Sequence, residues 1–171
     1  AYNAEPIADI FDFFILGEGE DSIHDITKAY IEWKKSGKKD KKEYLKTIAK
    51  MEGIYVPSFY DVEYNSDNTI KSITPNVPEA KPVVKKRIVT DFENTYAPEK
   101  IIVPFGEVVH DRVMLEVFRG CIRGCRFCEA GYAYRPVRER KAETLTELAD
   151  KLLGCSGYDE ISLSSLSTSD Y

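Results

Sequence analysis

The sequence predicts an α/β fold, and three observations carry that expectation. Near the start, the apolar run Phe11–Leu16 stops at Gly17 and gives way to apolar residues at helical spacing, a strand–turn–helix. Further on, Arg112–Phe118 alternates Val113, Leu115 and Val117 against Met114, Glu116 and Phe118, the pattern of a half-buried strand. Behind it, a helix starting at Thr144 and a second apolar stretch over 158–167 complete one βαβ crossover.

Composition agrees with an ordinary globular chain. Of 171 residues, 43% are hydrophobic and 31% charged, for a net charge of −5. There is no run of 18 or more apolar residues, so nothing is expected to span a membrane. The first residues, AYNAEPIADIFD, lack the basic region and apolar core of a signal peptide. Four cysteines, three of them clustered, do not make a disulfide framework. Reduced thiols favour the cytoplasm. The chain opens without Met and stops at Tyr171 directly after a predicted strand, so it reads as an internal fragment cut inside two domains.

Taken in order, residues 3–10 suit a short helical turn with Asn3 as cap and Pro6 near its start. After Gly17 the carboxylates of Glu18–Asp21 sit at the positive end of a helix. Ile23, Ile26, Ala29, Tyr30 and Trp33 form its apolar stripe, His24 lies off that stripe, and Gly37 is a plausible stop. Eight lysines fall between Lys34 and Lys50, interleaved with aromatics. That pattern can bind nucleic acid, but Tyr44, Leu45, Ile48 and Ala49 also give a helical hairpin a buried side and leave the lysines solvated. Ile54–Tyr64 and Thr69–Thr74 alternate about an Asn-Ser-Asp-Asn turn, a β-hairpin. Pro75 to Pro82 reads as an extended linker, and Val83–Thr90 and Lys100–Pro104 as short strands. Thr144-Leu-Thr-Glu147 matches a capping box for the crossover helix, which should end near Gly154. The organisation expected is therefore 1–53, a connector over 54–110, and 111–171.

The chemistry concentrates in Leu115–Arg140. Cys121, Cys125 and Cys128 lie too close in sequence not to suggest a shared metal. A straight helix would place the outer two about 10 Å apart along its axis, so the segment must curl, helped by Gly120 and Gly124. Inward amides of such a loop suit the sulfurs of an iron–sulfur cluster. With three local thiols, one iron of a [4Fe–4S] cluster would be left for a non-protein ligand. A zinc site would need His110, His24 or Cys155 as a fourth ligand. Six of the eight arginines lie between Arg119 and Arg140, giving 119–141 a local charge of +5. They suit anionic substrate groups, an electron donor, or an ion-pair network.

Cys121-x3-Cys125-x-Phe127-Cys128 resembles the signature of the radical S-adenosylmethionine (SAM) enzymes, and FRGCIRGCRFCEAGYAYRPVRER resembles a bacterial subgroup with a preceding cobalamin-binding-type domain. The resemblance implies that the three thiolates hold a [4Fe–4S] cluster whose open iron binds SAM, and that SAM is cleaved reductively to a 5′-deoxyadenosyl radical. It implies a reducing partner such as flavodoxin or ferredoxin. It places Phe127 against the SAM adenine, with a plain packing role as the alternative. The family's Gly-Gly-Glu-type motif after the second strand is replaced here by Leu163-Ser-Ser-Leu-Ser-Thr-Ser169, so Ser164, Ser165 and Ser167 become the candidates for the SAM ammonium. Arg135 and Arg138 are the candidates for an anionic substrate, and Tyr132 for stacking on a substrate or walling the site. The implied fold is the end of a Rossmann-like cobalamin-binding-type domain over 1–53, a β-rich connector, and the first βαβ unit of a partial TIM barrel. The cobalt-ligating Asp-x-His-x-x-Gly motif occurs nowhere in these residues, which leaves cobalamin open. Two alternatives stay beside this reading: a radical SAM enzyme that modifies tRNA or another nucleic acid, and a non-catalytic zinc or iron–sulfur module. Cys155, beside Gly154 and Gly157, is expected to be a buried or half-buried free thiol.

Overall fold

In the computed structural model, which describes residues 3–37, 40–106 and 108–171, the chain divides into two compact units, 1–89 and 90–171. It is a mixed α/β chain with four two-stranded sheets among the described residues.

The first unit opens with a 3-10 turn over Glu5–Ile7, where the Asn3 side chain accepts from the Glu5 amide at 3.0 Å. The run expected as a strand over 11–16 is extended and paired at Phe14–Ile15 alone (β1). Gly17 then sits at φ 106°, with the Arg87 carbonyl standing where a Cβ would have to go, so only glycine lets the two segments meet. The Arg87 amide donates to the Leu16 carbonyl at 2.9 Å, and the Glu18 amide to the Arg87 carbonyl at 3.0 Å. This single parallel bridge is the whole of the strand expected over 83–90; no strand forms at 100–104 either.

A helix follows over Glu20–Lys35 (α1) and a second over Lys41–Ala49 (α2), the latter capped by the Asp40 side chain accepting from the Lys42 amide. Of the predicted stripe on α1, Ile26 and Ala29 are buried, while Ile23 and Tyr30 face solvent and Ser22 takes an inner position. Ser22 is tolerated there because its hydroxyl donates to the Glu18 carbonyl at 3.1 Å. All four residues expected on the inner side of α2 (Tyr44, Leu45, Ile48 and Ala49) are buried. Lys38 and Lys39 lie outside the described residues. The short strand Ile54–Tyr55 (β2) pairs antiparallel with β1. A 3-10 turn at Pro57–Phe59 breaks what the alternation reads as one long strand, and the hairpin proper is Tyr60–Tyr64 (β3) against Ile70–Pro75 (β4). Asn68 takes φ 63° in its turn, a conformation asparagine adopts more readily than most residues. Ile26, Ile48, Ile54, Val56 and Phe59 form the centre of this unit's core.

The second unit is built on Val113–Glu116 (β5) and Phe118–Arg119 (β6). Val113, Leu115 and Val117 are buried, as the alternation requires, and Phe118 joins them. A one-turn helix, Ala130–Ala133 (α3), precedes Arg138–Glu139 (β7), which pairs antiparallel with β6. The loop expected over 135–140 is therefore partly a strand. Ala142–Ser156 (α4) and Ile161–Ser164 (β8) follow, and β8 runs parallel to β5 in register Val113–Ile161 to Glu116–Ser164. The βαβ crossover is present.

Helix α4 begins two residues before Thr144 and has no side-chain cap of its own. Glu93 supplies it from a distance: its carboxylate accepts from the Lys141 amide at 2.8 Å and from the Thr144 hydroxyl at 2.6 Å. A carboxylate there also meets the positive helix end. The helix ends at Gly157, φ 77°, three residues past the expected Gly154. No helix of the described residues is long and apolar enough to cross a membrane.

Candidate metal centre

The thiol loop leaves β6 through Gly120, whose φ of 96° bends the chain away from the sheet. A Cβ at Gly120 would stand 2.6 Å from the Pro136 carbonyl oxygen, so the two ends of the 120–136 excursion touch at this glycine. Gly124 has open space around it and does not take such a conformation. The Cys121 amide donates to the Tyr134 carbonyl at 3.1 Å, and the Cys128 amide to the Cys125 carbonyl at 3.0 Å. Gly131 packs under the loop, where a Cβ would stand 2.5 Å from the Arg123 carbonyl. The loop is thus pinned at its entrance, its underside and its exit.

All four cysteines are free thiols: Cys121 buried, Cys128 half-buried, Cys125 and Cys155 exposed. The expectation of a buried or half-buried Cys155 is corrected here, because its thiol lies on the surface of α4, donating to the Leu152 carbonyl at 3.3 Å. In kind and number the three loop thiols fit a three-cysteine iron–sulfur site. Among the described residues no three His, Cys, Asp or Glu side chains converge on a point that could hold a metal ion, so the fit is one of donor set and loop anchoring.

Around the thiols, Phe127 stands out at 92% exposure and Tyr132 at 72%. The hydroxyl-rich stretch after β8 is close-knit: Ser165 and Thr168 share a hydroxyl hydrogen bond of 2.7 Å, and Ser164 and Ser167 are half-buried. The arginines are mostly committed. Arg119 forms a two-pronged pair with Glu116 at 2.8 and 2.9 Å. Arg135 donates to the Gly131 carbonyl at 2.5 Å, and Arg138 to the Pro136 carbonyl at 3.1 Å. Arg140 is buried against Phe92 and donates to the Glu93 carbonyl at 3.2 Å. Arg123, inside the thiol loop, makes a two-pronged pair with Asp170, its Nε at 2.9 Å from Oδ2.

Sequence pattern alone does not pair these two residues. Asp170 is the only acid in the stretch between Ile161 and Tyr171, a signal that points at it without naming its partner. Hydrogen bonds from Arg123 and then Ser167 hold its carboxyl down to about 2. The same contact raises the Arg123 guanidinium, with smaller contributions from the nearby Cys125 and Cys121 sulfurs.

Known proteins share parts of this chain. The family described as radical SAM proteins, N-terminal, matches residues 1–57. An uncharacterized protein of Methanocaldococcus jannaschii is 30% identical over 172 aligned positions, covering 99% of this chain and 30% of the relative. The chain therefore spans about a third of that relative's length. No solved structure matches. The match over 1–57 supports the radical SAM superfamily, whose members generally use a [4Fe–4S] cluster and SAM.

Proposed function

We propose that the chain is part of a cytoplasmic radical SAM enzyme in which Cys121, Cys125 and Cys128 hold a [4Fe–4S] cluster and SAM occupies the remaining iron. The observation that carries the reading is the set of three free thiols on one anchored loop, directly after β6 and beside a parallel βαβ crossover. When bound, the cluster would supply the electron for reductive cleavage of SAM into methionine and a 5′-deoxyadenosyl radical.

The chain's own residues divide the remaining work. Gly120 and the Cys121 amide fix where the loop leaves the sheet. Phe127, being exposed, is able to cover a bound adenine. The hydroxyls of Ser164, Ser165 and Ser167 offer acceptors for an ammonium group. Tyr132 is exposed and available to a substrate. Arg135 and Arg138 direct the nitrogens described above towards backbone carbonyls, and an anionic substrate would join those bonds. The electron comes from a reduced flavodoxin- or ferredoxin-like partner. The cobalamin-binding subgroup rests on the resemblance of residues 118–140 and on the strand–turn–helix at β1 and α1, where β1 pairs antiparallel with β2.

A second reading, modification of tRNA or another nucleic acid, is favoured by one local arrangement. Lys34 Nζ lies 5.6 Å from the Tyr30 ring centroid and 5.3 Å from that of Trp33, on an exposed helix end. A cation beside aromatic rings is one element of a surface that binds single-stranded nucleic acid. Lys41 and Lys46, however, are paired with Asp12 and Glu43.

Anaerobic reconstitution of the full-length protein followed by a SAM-cleavage assay tests the proposal. About four irons per chain and 5′-deoxyadenosine formation support the enzyme. Zinc uptake with no SAM turnover supports a non-catalytic metal module instead.

A further inference from the structure

Two loops meet at one ion pair. Arg123 belongs to the thiol loop, between Cys121 and Cys125, and Asp170 belongs to the turn that closes the hydroxyl-rich stretch after β8. They are 47 residues apart in sequence, and the contact is two-pronged. Such a fork fixes orientation as well as distance, because guanidinium and carboxylate are both planar.

The two ends of the contact are unequally free. The Arg123 side chain is 58% exposed, whereas that of Asp170 is 14% exposed. Asp170 is held on its own side: its amide donates to the Ser167 carbonyl at 2.9 Å within a 3-10 turn, and Ser165 and Thr168 are bonded across the same turn. Tyr171, the next residue, stacks on Phe118 of β6 and donates its hydroxyl to the Arg140 carbonyl at 2.9 Å. Asp170 is thus the fixed post, and Arg123, on a loop without regular structure, is the part that is held.

We infer that the Arg123–Asp170 pair is a latch that sets the separation between the thiol loop and the hydroxyl-rich loop, with both as positioning residues for a SAM molecule contacted by the two loops. The inference rests on the function proposed above. Neither residue ligates iron. Releasing the latch leaves all three thiols in place and disturbs only the relative placement of the two loops.

The test uses the full-length protein, reconstituted without oxygen. SAM is titrated against the electron paramagnetic resonance signal of the dithionite-reduced cluster, with iron content measured in parallel. R123Q and D170N should keep the parent's iron content but require about two- to fivefold more SAM to convert the signal, the range of a partly exposed ion pair. The double variant R123Q/D170N should be no weaker than either single one, because both substitutions break the same bond. R123K, which keeps the charge but offers one donor nitrogen in place of the two-nitrogen fork, should fall between the parent and R123Q. Singles that titrate like the parent, or a double variant equal to the product of the singles, would overturn the latch alone. A parent that takes up no iron would overturn the underlying reading, and the latch with it.

Discussion

The guanidinium carbon of Arg140 lies 4.4 Å from the ring centroid of Phe92, and that of Arg119 lies 4.8 Å from the same ring. Phe92 is 1% exposed. Two cations, one from β6 and one just after β7, therefore close on a single aromatic ring from the segment that precedes β5. This arrangement ties residues 92–95 to the sheet that launches the thiol loop.

Phe92→Ala should accordingly destabilise the second unit by about 3–5 kcal/mol, the range for emptying a buried aromatic site. Its removal also takes away the ring face that attracts both guanidinium groups. Phe105→Ala, at a fully exposed ring, should change stability by less than about 0.5 kcal/mol. Urea unfolding of the full-length variants checks both. A Phe92→Ala protein as stable as the Phe105→Ala protein would contradict the clamp.

The glycines of the thiol loop should separate cleanly. Gly120→Ala forces a side chain into φ 96° and against the Pro136 carbonyl, and should cost about 1–3 kcal/mol. Gly124→Ala meets nothing within 4 Å and should stay within about 0.5 kcal/mol of the parent. Thermal unfolding of the metal-free protein reads this directly. Equal losses at the two positions would contradict the close approach of Gly120 to the Pro136 carbonyl.

Acid should loosen the second unit through two carboxylates. Glu93 is lowered from 4.5, first by the Thr144 hydroxyl and then by the Lys141 amide, and Asp170 is lowered from 3.8 to about 2, first by Arg123. A depressed folded-state pKa gives stability that is complete above the unfolded value and lost as pH falls through the folded one. Stability should therefore decline from about pH 4.5 down to about pH 2, and E93Q and D170N should each flatten that decline. An acid limb unchanged in both variants would contradict the assignment of these contacts.

Where a pattern is local, it can be read from the sequence. Val113, Leu115 and Val117 alternate and are buried, and Tyr44, Leu45, Ile48 and Ala49 fill one face of α2. What escapes depends on partners far along the chain. Thr144 looks like the start of a capping box, but its hydroxyl is taken by Glu93, 51 residues earlier. Residues 83–90 have strand composition yet make one bridge, at Arg87, and the Val89 amide goes to the Glu18 carboxylate instead of a strand partner. Asp170 stands out in the sequence as the lone acid of 161–171, but nothing there pairs it with Arg123, 47 residues earlier. The candidate thiols need no long-range partner to be noticed, since their spacing carries the signal.

Whether the three thiols of one loop hold an iron–sulfur cluster is tested most directly by the iron content of cysteine variants. Full-length protein and its Cys121→Ala, Cys125→Ala, Cys128→Ala and Cys155→Ala variants would be reconstituted anaerobically and assayed for iron and for 5′-deoxyadenosine. SAM cleavage should be lost and iron content should fall sharply in each of the first three, with Cys155→Ala matching the parent. Iron falling as far in Cys155→Ala as in Cys125→Ala would contradict it.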